Sequence, residues 1–422
     1  MSIRNHEPVS SDLWSAVISV DDAAASTVRP DLLASPPVPA LLYLVALGNL
    51  IVGSSAFVVS GIVDLIAEGL GVSLAAAGQA MSAYALATAL LAPALLVATG
   101  RWPRKRAMLF ALALFTAGNA LAALAGGLGQ LYAGRVLMGL GSMFTPIGAS
   151  IALAAVVPER RGQALSLAFL GMSLSYVVGV PLGAWIGRTH GWQAAVWLMA
   201  GASAAMVALM AWRVPADLQA PGAAFRGIGA VLRRGDVAAA LAITLLYFTA
   251  IFVPFTYIGP VIRALAPEGG LGLSWTLTVF GLSGVAGTLL GGAAADRLGP
   301  RRTMLAGLAV LAGAQALLPL SAGHPWAMLV LLVAWGCAGF GLMSPQQSRL
   351  ARMAPAQAPL LLSLNASMLY LGTALGAAIG GPAAVRLGFE PLCWVAVPFV
   401  VAAWLMLVFE PRPLEIAAAA PN

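Results

Sequence analysis

Gly292-Ala-Ala-Ala-Asp296-Arg297-Leu-Gly299-Pro-Arg301-Arg302 gathers four charges into a short stretch between two uncharged apolar runs, near 273–295 and 303–322. A helix rises about 1.5 Å per residue, so each run matches the roughly 30 Å hydrocarbon layer of a bilayer. The stretch reads as a charged turn at a membrane surface, joining two spanning helices. Leu298-Gly-Pro-Arg-Arg-Thr-Met-Leu305 has a near copy in Trp102-Pro-Arg-Lys-Arg-Ala-Met-Leu109, again between apolar runs. An element used twice in this way predicts a repeated membrane unit.

The rest of the chain has the same character. Its 422 residues are 60% hydrophobic and 9% charged, with a mean hydropathy of +0.92. Soluble domains carry about 25% charged residues. A chain with so few could not cover a water-facing surface, which excludes a soluble enzyme or a nucleic-acid-binding protein. The net charge of +7 belongs to loops that orient the chain in a bilayer. From residue 40, twelve apolar segments lie near 40–63, 74–98, 105–126, 130–156, 163–187, 193–213, 237–262, 273–295, 303–322, 326–348, 359–385 and 390–409. Lipid offers the backbone no hydrogen-bond partner, so each segment must be a helix. The expected fold is an all-α membrane protein with twelve transmembrane helices in two pseudo-symmetric six-helix bundles.

The basic residues set the orientation. With the N-terminus inside, 18 of the 22 Lys and Arg fall on the cytoplasmic side, and only Arg188, Arg263 and Arg386 on the other. That bias predicts both termini in the cytoplasm. Residues 1–38 are a polar tail of net charge −3 without the basic, then apolar, start of a secretory signal. The expected division is a disordered tail (1–38), a bundle (39–213), a linker (214–236), a second bundle (237–410) and a short tail (411–422). Gly179 and Gly183 recur as Gly376 and Gly380, and Gly191-Trp192 as Gly388-Phe389, all offset by 197 residues. Two like-oriented halves imply a pseudo-twofold axis along the membrane normal, with a substrate site between them near mid-membrane.

Over about residues 40–410 the chain resembles the major facilitator superfamily. The 292–302 stretch is similar to the superfamily's loop signature of Gly, Asp-Arg-x-Gly and basic residues. Its first-half counterpart departs from it, with Gly100 in place of the Asp and Pro103 in place of the Gly. Arg135-Val-Leu-Met-Gly139-Leu-Gly141 resembles the Arg-and-Gly motif of the fourth helix. Gly179-Val-Pro181-Leu-Gly183 resembles the antiporter motif of the twelve-helix drug:proton antiporter branch. Ser82-Ala-Tyr-Ala-Leu86, Phe255-Thr-Tyr-Ile-Gly-Pro260 and Leu364-Asn-Ala-Ser367 are closest to its sugar, purine-nucleoside and chloramphenicol efflux subgroup. The resemblance implies a bacterial inner-membrane secondary transporter that exports a small solute by alternating access in exchange for protons. A facilitator or a proton-coupled importer is the alternative on the same fold.

Coupling and gating fall to Asp64, Arg135, Asp296, Arg297, Arg301 and Arg302. Arg135 is the basic residue well inside a span, where an unpaired charge is costly. It is expected to face the cavity and pair with Asp64 in a protonation-sensitive couple; snorkelling to the outer interface is the alternative. Of the 15 acids, only Asp64, Glu68 and Asp296 fall near the membrane on this reading. Asp296 with its arginines is expected to form a charge latch on the cytoplasmic side. Gly179, Gly183 and Gly187 form a small-residue stripe for close helix packing, as do Gly372, Gly376 and Gly380.

The substrate-contact candidates are Asn49, Phe57, Tyr84, Arg135, Tyr176, Tyr247, Tyr257, Trp335, Gln346, Asn365 and Tyr370, polar and aromatic residues in the family's cavity-forming helices. Pro146, Pro254 and Pro345 are expected to bend their helices near the middle. Cys337 and Cys393 have no metal-ligand or disulfide spacing. No cofactor, metal or enzymatic group is expected, and no Gly-x-x-x-x-Gly-Lys-Ser/Thr loop marks ATP as the energy source. The expected partners are a small solute, protons and the lipid bilayer, with no nucleic acid, for a chain acting as a monomer.

Overall fold

The structure, a computed structural model, describes residues 38–156, 161–216, 233–266 and 272–410. The N-terminal tail up to residue 37, most of the expected linker and the 411–422 tail lie outside the described residues. Among the described residues, twelve helices are long and apolar enough to cross a membrane. They are α1 (Ala40–Leu70), α2 (Leu74–Ala98), α3 (Arg104–Ala123), α4 (Leu128–Ala154), α5 (Ala164–His190) and α6 (Trp192–Arg213). The second set comprises α7 (Gly235–Phe255), α8 (Leu273–Leu298), α9 (Pro300–Ser321), α10 (Pro325–Met353), α11 (Ala358–Leu387) and α12 (Leu392–Phe409). A short segment, Ile258–Leu265, continues α7 after a break. No strand occurs among the described residues.

The helices join through minimal turns. Gly191 (φ 90°) and Gly388 (φ 86°) close the α5–α6 and α11–α12 connections in a conformation that a Cβ disfavours. The two glycines are the sequence-repeat pair. Most helix breaks trace to proline, which cannot donate to the carbonyl four residues back. A π-turn at Ala87–Leu91 precedes Pro93, and another at Ser175–Gly179 precedes Pro181. α4 breaks around Ser142–Met143 and α10 at Leu342, one turn before Pro146 and Pro345. α7 behaves differently from expectation: its break falls at Thr256–Tyr257, just after Pro254 and well past the helix middle. α1 is kinked at Ile62 (φ −130°, ψ 16°) without a nearby proline.

α1 and α7, the first helix of each half, are the most enclosed spans, 78% and 72% buried. α1 packs on α5, α2 and α6, and α7 on α11 and α12. The outer helices turn large apolar side chains outward, and Trp212, Trp326 and Phe409 stand exposed at span ends, as an aromatic belt requires.

The halves touch from mid-membrane to the arginine-poor face, where α2 meets α11, α5 meets α8 and α1 meets Ile258–Leu265. Gln79 Nε2 donates to Ala377 O (3.3 Å) and Ser82 Oγ to Ala374 O (2.9 Å) across this seam. Backbones run so close that a Cβ on Gly381 would lie 3.1 Å from Ala75 Cα. Toward the arginine-rich face, Ala92–Ala98, Phe144–Ala154 and Met343–Met353 pack chiefly within their own halves. The bundles therefore close on one face and part toward the other.

Candidate functional site

Where the halves meet at mid-membrane, aromatic rings from both form a collar. Phe57 of α1 stacks on Tyr176 of α5 with centroids 4.8 Å apart. Phe57 reaches Phe252 of α7 at 5.8 Å, and Tyr176 meets Phe340 of α10 at 4.6 Å. Phe255 lies against Phe252 (5.2 Å) and Phe280 of α8 (5.7 Å), and Trp335 stands edge-on to Phe280 at 5.2 Å. All but Tyr176 are buried, so the collar plugs the route to the arginine-poor face. Phe57, Tyr176 and Trp335 were expected here. Phe255, Phe280 and Phe340 were not, because a phenylalanine in an apolar span carries no mark of whether it faces lipid or a central path.

The other aromatic candidates flank the collar. Tyr84 and Tyr370 meet edge-on at 6.3 Å across the α2–α11 seam. Tyr257, at the α7 break, donates to Ala377 O at 3.3 Å. Tyr247 packs against Phe248 at 4.8 Å within the second half.

Arg135 corrects an expectation. It is 2% exposed inside the first bundle and does not meet Asp64. Its Nε donates to Ala80 O (3.2 Å), Nη1 to Ser55 O (3.0 Å) and Nη2 to Ala56 O (2.6 Å). The guanidinium also lies 4.9 Å from the centre of the Tyr84 ring. Ser55 donates from its hydroxyl to Asn119 of α3, and Asn119 donates to Phe115 O at 2.9 Å. Arg135 is thus a buried cation solvated by backbone dipoles rather than by a carboxylate, and it stands behind Tyr84 rather than in open space.

Asp64 takes its partners from elsewhere. Its Oδ2 accepts from Arg263 at 2.7 Å and from Arg188 at 3.3 Å. Arg263 belongs to the second half, so Asp64 clasps the two bundles together at the arginine-poor face. The kink at Ile62 and the break at Thr256–Tyr257 set off the two segments that carry this clasp. Gly61 and Gly259 make the approach possible, since a Cβ on Gly259 would lie 3.2 Å from Gly61 O.

Asn49, Gln346 and Asn365 sit in polar knots within the halves, on the arginine-rich side of the collar. Asn49 accepts from Thr145 Oγ1 (2.8 Å) and donates to Ala168 O (2.8 Å), tying α1, α4 and α5. Gln346 donates to Ala240 O (2.6 Å) and Thr244 (2.8 Å), and Thr244 donates to Asn365 (2.6 Å), tying α7, α10 and α11. Arg349 extends the second knot, donating to Gln346 (2.9 Å) and pairing with Glu410 at the end of α12.

The expected Asp296 latch is not formed in this conformation. Asp296 is exposed and pairs with no described residue, while Arg301 donates to Leu407 O and Val408 O at 3.0 Å each. A latch across the halves would need the arginine-rich face closed. The acid inventory also needs correction: Asp236 begins α7, Glu390 sits in the short turn between α11 and α12, and Glu410 caps α12, so all three lie at span ends alongside Asp64, Glu68 and Asp296.

Two six-helix halves that shut on one face around a central aromatic plug define a multi-pass membrane transporter. The sequence matches the Major Facilitator Superfamily over residues 45–274 and 269–421. The chain belongs to that superfamily. It is 30% identical over 378 residues to an uncharacterized MFS-type transporter, YbcL, of Bacillus subtilis, covering 89% of this chain and 97% of that one. It is 31% identical to a chloramphenicol resistance protein of Streptomyces lividans (91% and 98% covered) and to the inner membrane transport protein YdhP of Escherichia coli (81% and 87%). Among solved structures, the nucleoside transporter NupG shares the fold with a TM-score of 0.71 at 12% identity, over 89% of this chain and 100% of that chain.

Proposed function

We propose that this transporter exports a small, drug-like solute across the bacterial inner membrane by alternating access, in exchange for protons, acting as a monomer with both termini cytoplasmic. The observation that carries the reading is the asymmetric closure: the halves are clasped at the arginine-poor face and parted at the arginine-rich one. With the arginine-rich face in the cytoplasm, this is an inward-open state with the collar as its roof. Chloramphenicol resistance in relatives of about 30% identity supports export.

Asp64 is the coupling candidate, because it is the one carboxylate that bridges the halves among the described residues. Protonation would release both arginines and let the outer face open, and loss of the proton would re-form the clasp. Partly exposed ion pairs are worth only about 0.2–1 kcal/mol each, weak enough to break in every cycle. The test is solute uptake into everted vesicles driven by a pH gradient. Wild type is expected to accumulate solute and Asp64→Asn to lose uphill accumulation while retaining downhill equilibration. Unchanged uphill transport in Asp64→Asn would remove this residue from the mechanism, and uptake confined to right-side-out vesicles would identify an importer.

A further inference from the structure

The electrostatics of the central pathway are one-sided. Every carboxylate in a span (Asp64, Glu68, Asp236 and Asp296) lies within about two helical turns of a span end. Asp64 is shared by two arginines. Arg135 stands as near its own span end, but its guanidinium reaches Ser55 O and Ala56 O beside Phe57, so among the described residues it alone carries charge at collar depth. Its donors are spent on the carbonyls of Ser55, Ala56 and Ala80, which stabilise the cation without cancelling it. Ala56 adjoins Phe57 of the collar, and Tyr84 leads to the α2–α11 seam.

An aromatic site could still attract a cation through its ring faces. Here several of those faces are covered. Phe57 and Tyr176 cover each other, as do Phe255 and Phe280, and the Tyr84 ring carries Arg135. A cationic solute would enter a low-dielectric path that offers a fixed positive charge and no carboxylate. A like charge about 8–10 Å away at an effective dielectric near 20 is worth roughly ten- to thirty-fold in binding. An uncharged solute with a ring loses nothing to that field and can slide its edge among the rings.

We propose that the pathway selects uncharged aromatic solutes and rejects organic cations, and that Arg135, acting through its field rather than by contact, sets this preference. The inference deepens the export reading and takes from it the route of the solute. The test measures binding of two probes to the purified protein in detergent: chloramphenicol, uncharged, and tetraphenylphosphonium, a permanent aromatic cation. Wild type is expected to bind the neutral probe at least tenfold more tightly.

Two variants remove the field in different ways. Arg135→Gln deletes the charge. Met138→Glu neutralises it in place, since Met138 Sδ lies 3.8 Å from Arg135 Nη1. Each is expected to raise the ratio of cation to neutral affinity by about tenfold or more, which a merely structural role for Arg135 would not do. Equal wild-type affinities, binding of neither probe, or a ratio unmoved in both variants would overturn the proposal. Everted vesicles separate the two readings. Pumping of the cation but not the neutral probe overturns the charge preference and leaves export standing. Binding of the neutral probe without its transport overturns export and leaves the preference standing.

Discussion

Arg349 and Glu410 illustrate what a single charge needs at the edge of this membrane core. Arg349 is 8% exposed, and its two neighbours, Gln346 and Glu410, both accept from it. Removing one partner of such a pair strands a buried charge at a cost of about 3–5 kcal/mol, whereas replacing both with apolar groups is close to neutral. Glu410→Ala is therefore expected to lower the thermal unfolding midpoint in detergent markedly, and Arg349→Met with Glu410→Leu to recover most of the loss. A double variant as unstable as the single one would show the pair to be incidental. Arg135 was legible in the sequence as a buried charge, because one arginine stood inside an apolar run. Its partners were not legible: they are main-chain carbonyls 55 to 80 residues away, and every residue has a carbonyl. For the same reason the Asp64–Arg135 pairing inferred from their shared depth failed, since depth along two helices says nothing about which faces they turn to each other.

Glycine decides how closely the helices approach. Gly179, Gly183 and Gly187 of α5 lie against Ser54, Val58 and Ile62 of α1, and Gly372, Gly376 and Gly380 of α11 lie against α7 in the pseudo-equivalent place. The stripes were readable as packing devices; which helix each would meet was not. The neighbours differ in how far they can yield. A Cβ at Gly376 would come within 2.8 Å of Phe252 C and Thr249 O, both backbone, whereas at Gly187 it would meet the Ile62 side chain at 2.7 Å. Overpacking typically costs about 1–3 kcal/mol. Gly376→Ala is expected near the upper end and Gly187→Ala near the lower, measured as unfolding midpoints in detergent; the reverse order would refute the backbone argument. The breaks before Pro146 and Pro345 were likewise foreseeable, because a missing N–H disturbs the preceding turn. The α7 break, in contrast, follows Pro254, and Pro382 and Pro398 sit inside unbroken helices. The Ile62 kink has no proline behind it; it follows Ser60-Gly61, a pair that lets a helix bend.

At the scale of the molecule, one seam holds the halves, and the proposed alternating-access cycle requires it to open. Ser82 and Ala374 face each other there through a 2.9 Å hydrogen bond. A Ser82→Cys, Ala374→Cys protein is expected to form a disulfide under mild oxidation and stop transport, with recovery on reduction; full transport by the cross-linked form would exclude opening of this seam from the cycle. The sequence by itself determined that the chain is helical and membrane-spanning, that it has twelve spans in two related halves, and where its charged turns lie. Those properties follow from hydrophobic length, from the backbone's need to satisfy its own hydrogen bonds in lipid, and from repetition, all of which are local or periodic. Only the tertiary structure decided that Asp64 clasps the bundles through Arg263, that Arg135 is held by carbonyls, and that seven scattered aromatic side chains form one collar. These depend on the rotation of each helix about its own axis, and in a span that is apolar all round no periodic pattern records that angle.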